Sequence, residues 1–219
     1  MSPAVSPVRK AARLWKALGA PRNAASALAF GPDGFDLARA VNEALRPDAL
    51  TLIHPDSPPP RARFATTAES LEALAASRPA GFDLIVASGG IERGELSEVR
   101  ARVAALRGLL TPGGALVLSV DTLAAPDAET GFEPLLFPHL VRAGDLGEVA
   151  QARAPLPASA WLMLVQAAGL HVDAADGAGA QVLPEALTSG HGARLAAYDS
   201  VELAVGRLVL LARAPGDPS

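Results

Sequence analysis

The chain has 219 residues and a formal net charge of −4 at pH 7, and half of its residues are apolar although only 4% are aromatic. This length suits one sizeable α/β domain with an aliphatic core, and no apolar run approaches the roughly 20 residues that span a bilayer. The acidic balance argues against a broad nucleic-acid surface, and the absence of cysteine excludes disulfides, Cys-ligated zinc and thiol catalysis.

The first 23 residues form a basic segment without any acidic residue, and the first acid of the chain is Asp33. Its apolar residues give an imperfect amphipathic stripe. This pattern predicts a cap helix over 1–23 beside the first strand, although a transit peptide or a membrane-surface helix shows the same pattern. Since cysteine is also absent, we expect a cytoplasmic protein, with the mitochondrial matrix as the alternative if the segment is a transit peptide.

Apolar runs and helical spacing predict alternating strands and helices over residues 24–76. The run Ala24–Phe30 is typical of a buried strand, and Gly31-Pro32-Asp33-Gly34 is a turn after it. The elements predicted next are a helix over 35–45, strands over 49–53 and 64–66, and a short helix over 69–76.

The stretch 80–122 gives the strongest pattern in the chain. It contains an apolar strand from Phe82, a helix with apolar residues at three- and four-residue spacing, and a second apolar strand over 115–120. Thr111-Pro112-Gly113-Gly114 should stop the helix, because proline lacks the amide hydrogen and glycine tolerates positive φ. Two apolar strands joined through a helix predict a parallel, right-handed βαβ unit.

Residues 121–157 break this pattern, being rich in Pro, Gly and Ala around an apolar cluster at 132–140. A loop of this length inside a compact domain is usually a functional lid or an insertion. A helix over 158–168 follows, ended by Gly169, and the last strands are predicted over 170–174 and 207–212. No repeat or second domain is visible, which favours a single domain over 1–219.

The motifs FDLIVAS (82–88) and LLTPGGALVLSV (109–120) resemble the second half of class I S-adenosylmethionine-dependent methyltransferases. The resemblance implies a three-layer, Rossmann-like α/β fold with a seven-stranded sheet. That sheet would be mostly parallel, with an antiparallel C-terminal strand at an edge hairpin. It also implies S-adenosylmethionine as the cofactor, bound at the carboxyl ends of the strands, and 121–157 as a cover over the acceptor.

The resemblance places cofactor contacts in the turn after the first strand, where family members usually show G-x-G-x-G. This chain keeps Gly31, has Asp33 and Phe35 at the second and third glycine positions, and displaces a glycine to Gly34. Asp33 could accept a hydrogen bond from the cofactor ammonium group. Alternatively, the segment is a plain turn in which Asp33 caps the helix.

The next two loops also differ from the family pattern. The family places a ribose-binding acid after the second strand, because a carboxylate accepts two hydrogen bonds. Here Pro55 takes that position, so His54 and Asp56 are the candidates. Alternatively, this loop is a solvated, Pro-rich turn. Thr67 replaces the acid that takes the adenine amino group, but it could instead cap the following helix.

The loop after the strand at 82–88 supplies Ser88 and Gly89 as cofactor-binding candidates. Gly89 and Gly90 would give backbone room beside the methyl group, or they form a simple flexible turn. The family often has a Glu-His pair nearby, and Arg93 replaces that His here. Glu92 could act as a base, although a solvated surface acid is the more ordinary interpretation. His139, Ser119 and Asp121 are weaker candidates near an acceptor. No metal-ligand spacing occurs among the histidines, and no catalytic residue is assigned.

Two functions fit these residues. The first is a methyltransferase acting on a small-molecule or protein acceptor, in which the cofactor carries the reactivity. The second is a catalytically inactive methyltransferase-like protein that serves as a partner or scaffold subunit, because its cofactor loops are altered. Another nucleotide enzyme on a Rossmann-like sheet is a weaker third option. An exposed apolar cluster at 132–140 would favour a homodimer or a hetero-partner.

Overall fold

The computed structural model of the protein describes residues 24–32, 34–53, 65–68, 70–122, 156–178 and 205–216, with the backbone alone at 34 and 35. Seven strands and four helices lie in these ranges. In chain order they are β1 (Ser26–Phe30), α1 (Gly34–Leu45), β2 (Ala49–Ile53), β3 (Thr66–Ala68), α2 (Leu71–Ser77), β4 (Phe82–Ser88), α3 (Leu96–Leu109), β5 (Leu110–Asp121), α4 (Ala158–Ala167), β6 (His171–Ala178) and β7 (Arg207–Arg213).

The seven strands form one sheet in the order β3-β2-β1-β4-β5-β7-β6. The pairs among β1 to β5 are parallel, whereas β7 runs antiparallel to both β5 and β6. The predicted mostly parallel sheet with an antiparallel C-terminal strand is therefore confirmed. The predicted cap helix at 1–23 and the inner part of the 121–157 insertion lie outside the described residues.

The two faces of the sheet bury separate apolar clusters because successive strand residues point to opposite sides. On one face, Leu28 and Ile85 pack in the cluster that α2, α3 and α4 cover. On the other, Ala27 and Leu84 pack in the cluster that α1 joins through Leu37, Ala38 and Val41. Helices on both sides of a sheet give the three layers expected from the sequence.

Helix ends follow local capping chemistry. Gly169 ends α4 as predicted: it has φ 82°, and the Gly169 and Leu170 amides donate to the carbonyls of Gln166 and Val165. Helix α2 differs, since its cap is Ser70, whose Oγ accepts from the Ala73 amide at 3.0 Å. The interpretation of Thr67 as that cap is therefore wrong, and Thr67 lies within β3.

Strand β5 begins at Leu110, five residues before the predicted Ala115. Leu110 pairs with Phe82, and a bulge between Phe82 and Leu84 then shifts the register to the Leu84–Ala115 pair. The Thr-Pro-Gly-Gly segment therefore follows the end of α3 as the irregular start of a strand. Pairing with β4 extends the strand beyond what the local turn residues indicate.

The amino-terminal edge of the sheet is fastened by Asp83 on β4. Its Oδ2 accepts from the amide and the hydroxyl of Ser26 at 3.0 and 3.1 Å, and its Oδ1 accepts from Thr111 Oγ1 at 3.2 Å. The Asp83 amide in turn donates to Ser26 Oγ at 3.2 Å. One carboxylate thus joins the starts of β1, β4 and β5, which are neighbours in the sheet.

We expect Asp83→Ala to lower the free energy of unfolding by about 2–3 kcal/mol, because several partly buried donors lose a charged acceptor at once. Urea denaturation followed by far-UV circular dichroism measures this loss. Asp173→Ala is the matched control: it breaks the more exposed Arg213–Asp173 pair and should cost about 1 kcal/mol or less. Equal losses for the two variants would contradict the role of Asp83.

Candidate functional site

The strand order places a topological switch point between β1 and β4. From β1 the chain crosses through α1 to β2 on one side, and from β4 it crosses through α3 to β5 on the other. Helices α1 and α3 join opposite apolar clusters, so the two crossovers cover opposite faces. Ligands of open α/β sheets bind outside the carboxyl ends of the strands at such a point. The candidate site is therefore the junction of the β1 and β4 tips.

Gly31 brings the β1 tip against the end of β4. It has φ 139°, and a Cβ built there would lie 2.0 Å from the carbonyl oxygen of Ser88. Its amide donates to the Ile53 carbonyl of β2 at 3.3 Å. Only glycine fits this backbone approach, because any side chain would overlap main-chain atoms.

Gly89 continues the same junction from the β4 side. It has φ 70°, and its amide donates to the Ser119 carbonyl of β5 at 2.9 Å. A Cβ at this position would lie 3.2 Å from Pro32 Cγ of the β1 turn. The two turns are thus in contact, and Ser88 beneath them is buried.

The predicted cofactor residues are only partly brought together. Gly31, Ser88 and Gly89 meet at the β1–β4 junction, and Gly34 begins α1 just after it. Thr67 is exposed in β3, two strands away from β1, and pairs with Leu52 in register. Asp33, His54 and Asp56 lie outside the described residues.

Glu92 differs from its interpretation as a solvated surface acid, which is wrong: it is only 5% exposed. Its Oε1 lies 3.8 Å from the Cβ position built on Gly89. A buried carboxylate therefore sits beside the β1–β4 junction. No sequence signal marked this burial, because the segment around Glu92 has neither strand nor helix periodicity.

Side chains and backbone groups at the carboxyl end of β5 contact the start of the antiparallel strand β7. Asp121 forms an ion pair with Arg207, with a distance of 2.8 Å from Oδ1 to the guanidinium Nη2. The Thr122 amide donates to the Gly206 carbonyl at 3.1 Å, and its hydroxyl donates to the Val205 carbonyl. Asp121, a candidate near the acceptor, is thus held by a cation of the neighbouring strand.

The described residues also bear on metal binding and on membrane spans. No group of three or more His, Asp or Glu side chains there is arranged to hold a metal ion. None of the helices within those ranges combines the length and apolarity that a membrane span requires.

Comparisons with known proteins give matches in structure but not in sequence. No protein-family model matches the chain, and no curated protein matches it significantly. One similar solved structure is the 1,6-didemethyltoxoflavin-N1-methyltransferase of Burkholderia thailandensis, with bound 1,6-didemethyltoxoflavin and S-adenosylhomocysteine. Its identity is 17% and its TM-score 0.57, over 96% of this chain and 79% of that one.

Two other structures give the same result. An S-adenosylmethionine-dependent methyltransferase from Mesorhizobium loti has 18% identity and a TM-score of 0.57, over 94% of this chain and 99% of that one. The third structure is a complex of a methyltransferase activator and a putative methyltransferase from Haloferax volcanii. The matched chain of that complex has 14% identity and a TM-score of 0.58, over 94% of this chain and 91% of that one. The chain therefore has the fold of the class I S-adenosylmethionine-dependent methyltransferases, and the resemblance inferred from its motifs is confirmed at the level of the fold.

We expect Gly31→Ala to lower the free energy of unfolding by about 3 kcal/mol or more, because its Cβ overlaps the Ser88 carbonyl at a positive φ. Thermal and urea unfolding measure the loss. Gly108→Ala is the matched control: this glycine lies in α3 with nothing within 4 Å of a built Cβ. It should gain roughly 0.5–1 kcal/mol. A neutral Gly31→Ala variant would contradict the close contact between the turns.

Proposed function

We propose that the protein is an S-adenosylmethionine-dependent methyltransferase that acts on a small molecule or a protein. The observation that carries this proposal is the switch point between β1 and β4, where Gly31 lies against Ser88 and a buried carboxylate, Glu92, lies beside Gly89. The cofactor is a cation at its sulfonium and ammonium groups, and a buried acid suits a positively charged ligand. The bound S-adenosylhomocysteine of the B. thailandensis enzyme supports the same ligand class.

The chain's own residues would hold the cofactor across the strand tips. In this proposal the turn at Gly31–Pro32 lies along its amino-acid end, and the pair Ser88–Gly89 lies on the side of its methyl group. Asp33, at the start of α1, accepts from the ammonium group. His54 or Asp56 contacts the ribose, and Thr67 contacts the adenine. The Thr67 contact would contribute less than the acid of the family pattern, since a hydroxyl binds an amino group less strongly than a carboxylate does.

The cofactor supplies an activated methyl group, so the protein's task is to align the acceptor with it and to exclude water. This task does not require a dedicated catalytic base, and none is assigned.

A second candidate is an inactive methyltransferase-like subunit that works through a partner. One observation favours it: Thr67 stands where the family pattern has the adenine-binding acid. The two functions differ in whether the strand tips bind the cofactor.

Isothermal titration with S-adenosylmethionine and S-adenosylhomocysteine separates the two candidates. Binding of both, with a rise in melting temperature that grows with ligand concentration, supports the methyltransferase. Absence of heat and of any melting shift at millimolar ligand would end the enzyme proposal and leave the partner subunit. Methyl transfer from labelled cofactor to candidate acceptors then tests catalysis.

We expect Asp33→Ala to raise the dissociation constant for S-adenosylhomocysteine about tenfold, because a charged hydrogen bond to the ammonium group is lost. Asp56→Ala tests the ribose contact in the same titration. The matched control is Asp36→Ala, an exposed acid in the first turn of α1, which should change affinity by about twofold or less. Unchanged affinity in Asp33→Ala or in Asp56→Ala would refute the corresponding contact.

A further inference from the structure

The segment from Gly89 to Glu95 follows an unusual backbone path that buries an acidic side chain. Gly89, Gly90 and Gly94 all have φ between 70° and 80°, a range that other residues rarely adopt. Between the glycines, Ile91 is fully buried and Glu92 is 5% exposed. Burying a carboxylate is costly unless charge or hydrogen bonding compensates for the lost water.

Arg102 on α3 holds this segment on both sides of Glu92. Its Nη1 donates to the Ile91 carbonyl at 3.4 Å and also donates to the Arg93 carbonyl. The guanidinium group is always charged and presents its donors in a fixed planar fork. These two hydrogen bonds hold the backbone immediately before and after Glu92.

The start of α3 reinforces the same path. The Glu98 carboxylate accepts from the Glu95 amide at 2.9 Å as part of a reciprocal capping box. It lies 1.7 Å from where a Cβ would stand on Gly94. The segment therefore leaves the junction and enters α3 along one defined route.

The carboxylate held in this way lies at the switch point. The Cβ position of Gly89 is 3.2 Å from Pro32 Cγ and 3.8 Å from Glu92 Oε1, so one small region touches both the β1 turn and the acid. This region lies where the β1 and β4 tips meet. Because Glu92 is buried, its carboxylate would attract a cation that reached it more strongly than a solvated acid would.

We propose that Glu92 binds a positively charged centre of the ligand at the β1–β4 junction, and that Arg102 is the positioning residue that fixes the Glu92 carboxylate there. This inference rests on the proposed function. The charge to be bound is the sulfonium or the ammonium of S-adenosylmethionine, two groups with the same requirement for a buried anion. Glu92 is thereby given the role of selecting ligand charge.

The first test titrates Glu92→Gln with three ligands that differ in charge. S-adenosylmethionine carries both cations, S-adenosylhomocysteine carries only the ammonium, and 5′-methylthioadenosine carries neither. We expect the affinity for S-adenosylmethionine to fall about tenfold or more, whereas that for 5′-methylthioadenosine changes by about twofold or less. A fall confined to S-adenosylmethionine assigns the sulfonium, and an equal fall for the two charged ligands assigns the ammonium.

The second test addresses Arg102 with a control on the same helix. Arg102→Gln should reproduce the loss of affinity for S-adenosylmethionine, while Arg100→Gln, which removes the same charge from an exposed position of α3, should not. The double variant Glu92→Gln/Arg102→Gln should bind about as weakly as Glu92→Gln alone, because both changes act through one carboxylate. Additive losses would overturn the positioning role.

These results separate the inference from the proposed function. A wild-type protein that binds none of the three ligands refutes the proposed function. A wild-type protein that binds them, with Glu92→Gln unchanged or equally weakened for all three, refutes the charge-binding role alone. Because 5′-methylthioadenosine reports an intact pocket, its retained binding shows that a variant is folded.

Discussion

The close approach of two backbone turns at the β1–β4 junction is the constraint on which the site depends. Gly31 lies so near the Ser88 carbonyl that no side chain fits between them. Gly89 in turn leaves room for Pro32 and hydrogen-bonds to Ser119 of the next strand. The parallel strand order makes this junction a switch point, and the glycines let its turns pack together.

Three acidic residues, two in strands and one in the loop between β4 and α3, show how position decides what a carboxylate contacts. Asp83 lies at the amino-terminal ends of the strands. Its carboxylate accepts hydrogen bonds from Ser26 and Thr111 and so connects three strands. Asp121, at the opposite edge, is paired with Arg207 of the adjacent strand. Glu92 is buried beside the junction, and Arg102 donates hydrogen bonds to the backbone carbonyls on both sides of it. The first two join neighbouring strands of the sheet, and the third lies beside the β1–β4 junction, where we propose that the ligand binds.

Different observations support the fold and the proposed function. Solved methyltransferases with 14–18% identity share the architecture over nearly the whole chain, and likeness at that level establishes the fold. A shared fold hosts many chemistries, so function has to be argued from the site. In this protein the site consists of the β1–β4 junction and the buried carboxylate of Glu92 beside it.

The sequence by itself determined the order of the strands and helices, the βαβ unit at 80–122, and the end of α4 at Gly169. These features depend on local periodicity, glycine and proline, which act over a few residues. Three of the predicted site residues meet at the junction. Gly31 follows β1, Ser88 ends β4 and Gly89 follows it, and β1 and β4 are parallel neighbours in the sheet. Only the tertiary structure decided the early start of β5, the burial of Glu92 and the grip of Arg102, because each depends on contacts between segments that are separate in the sequence. Local propensity carries no record of such contacts, so burial of a charged side chain is visible only once the chain has packed.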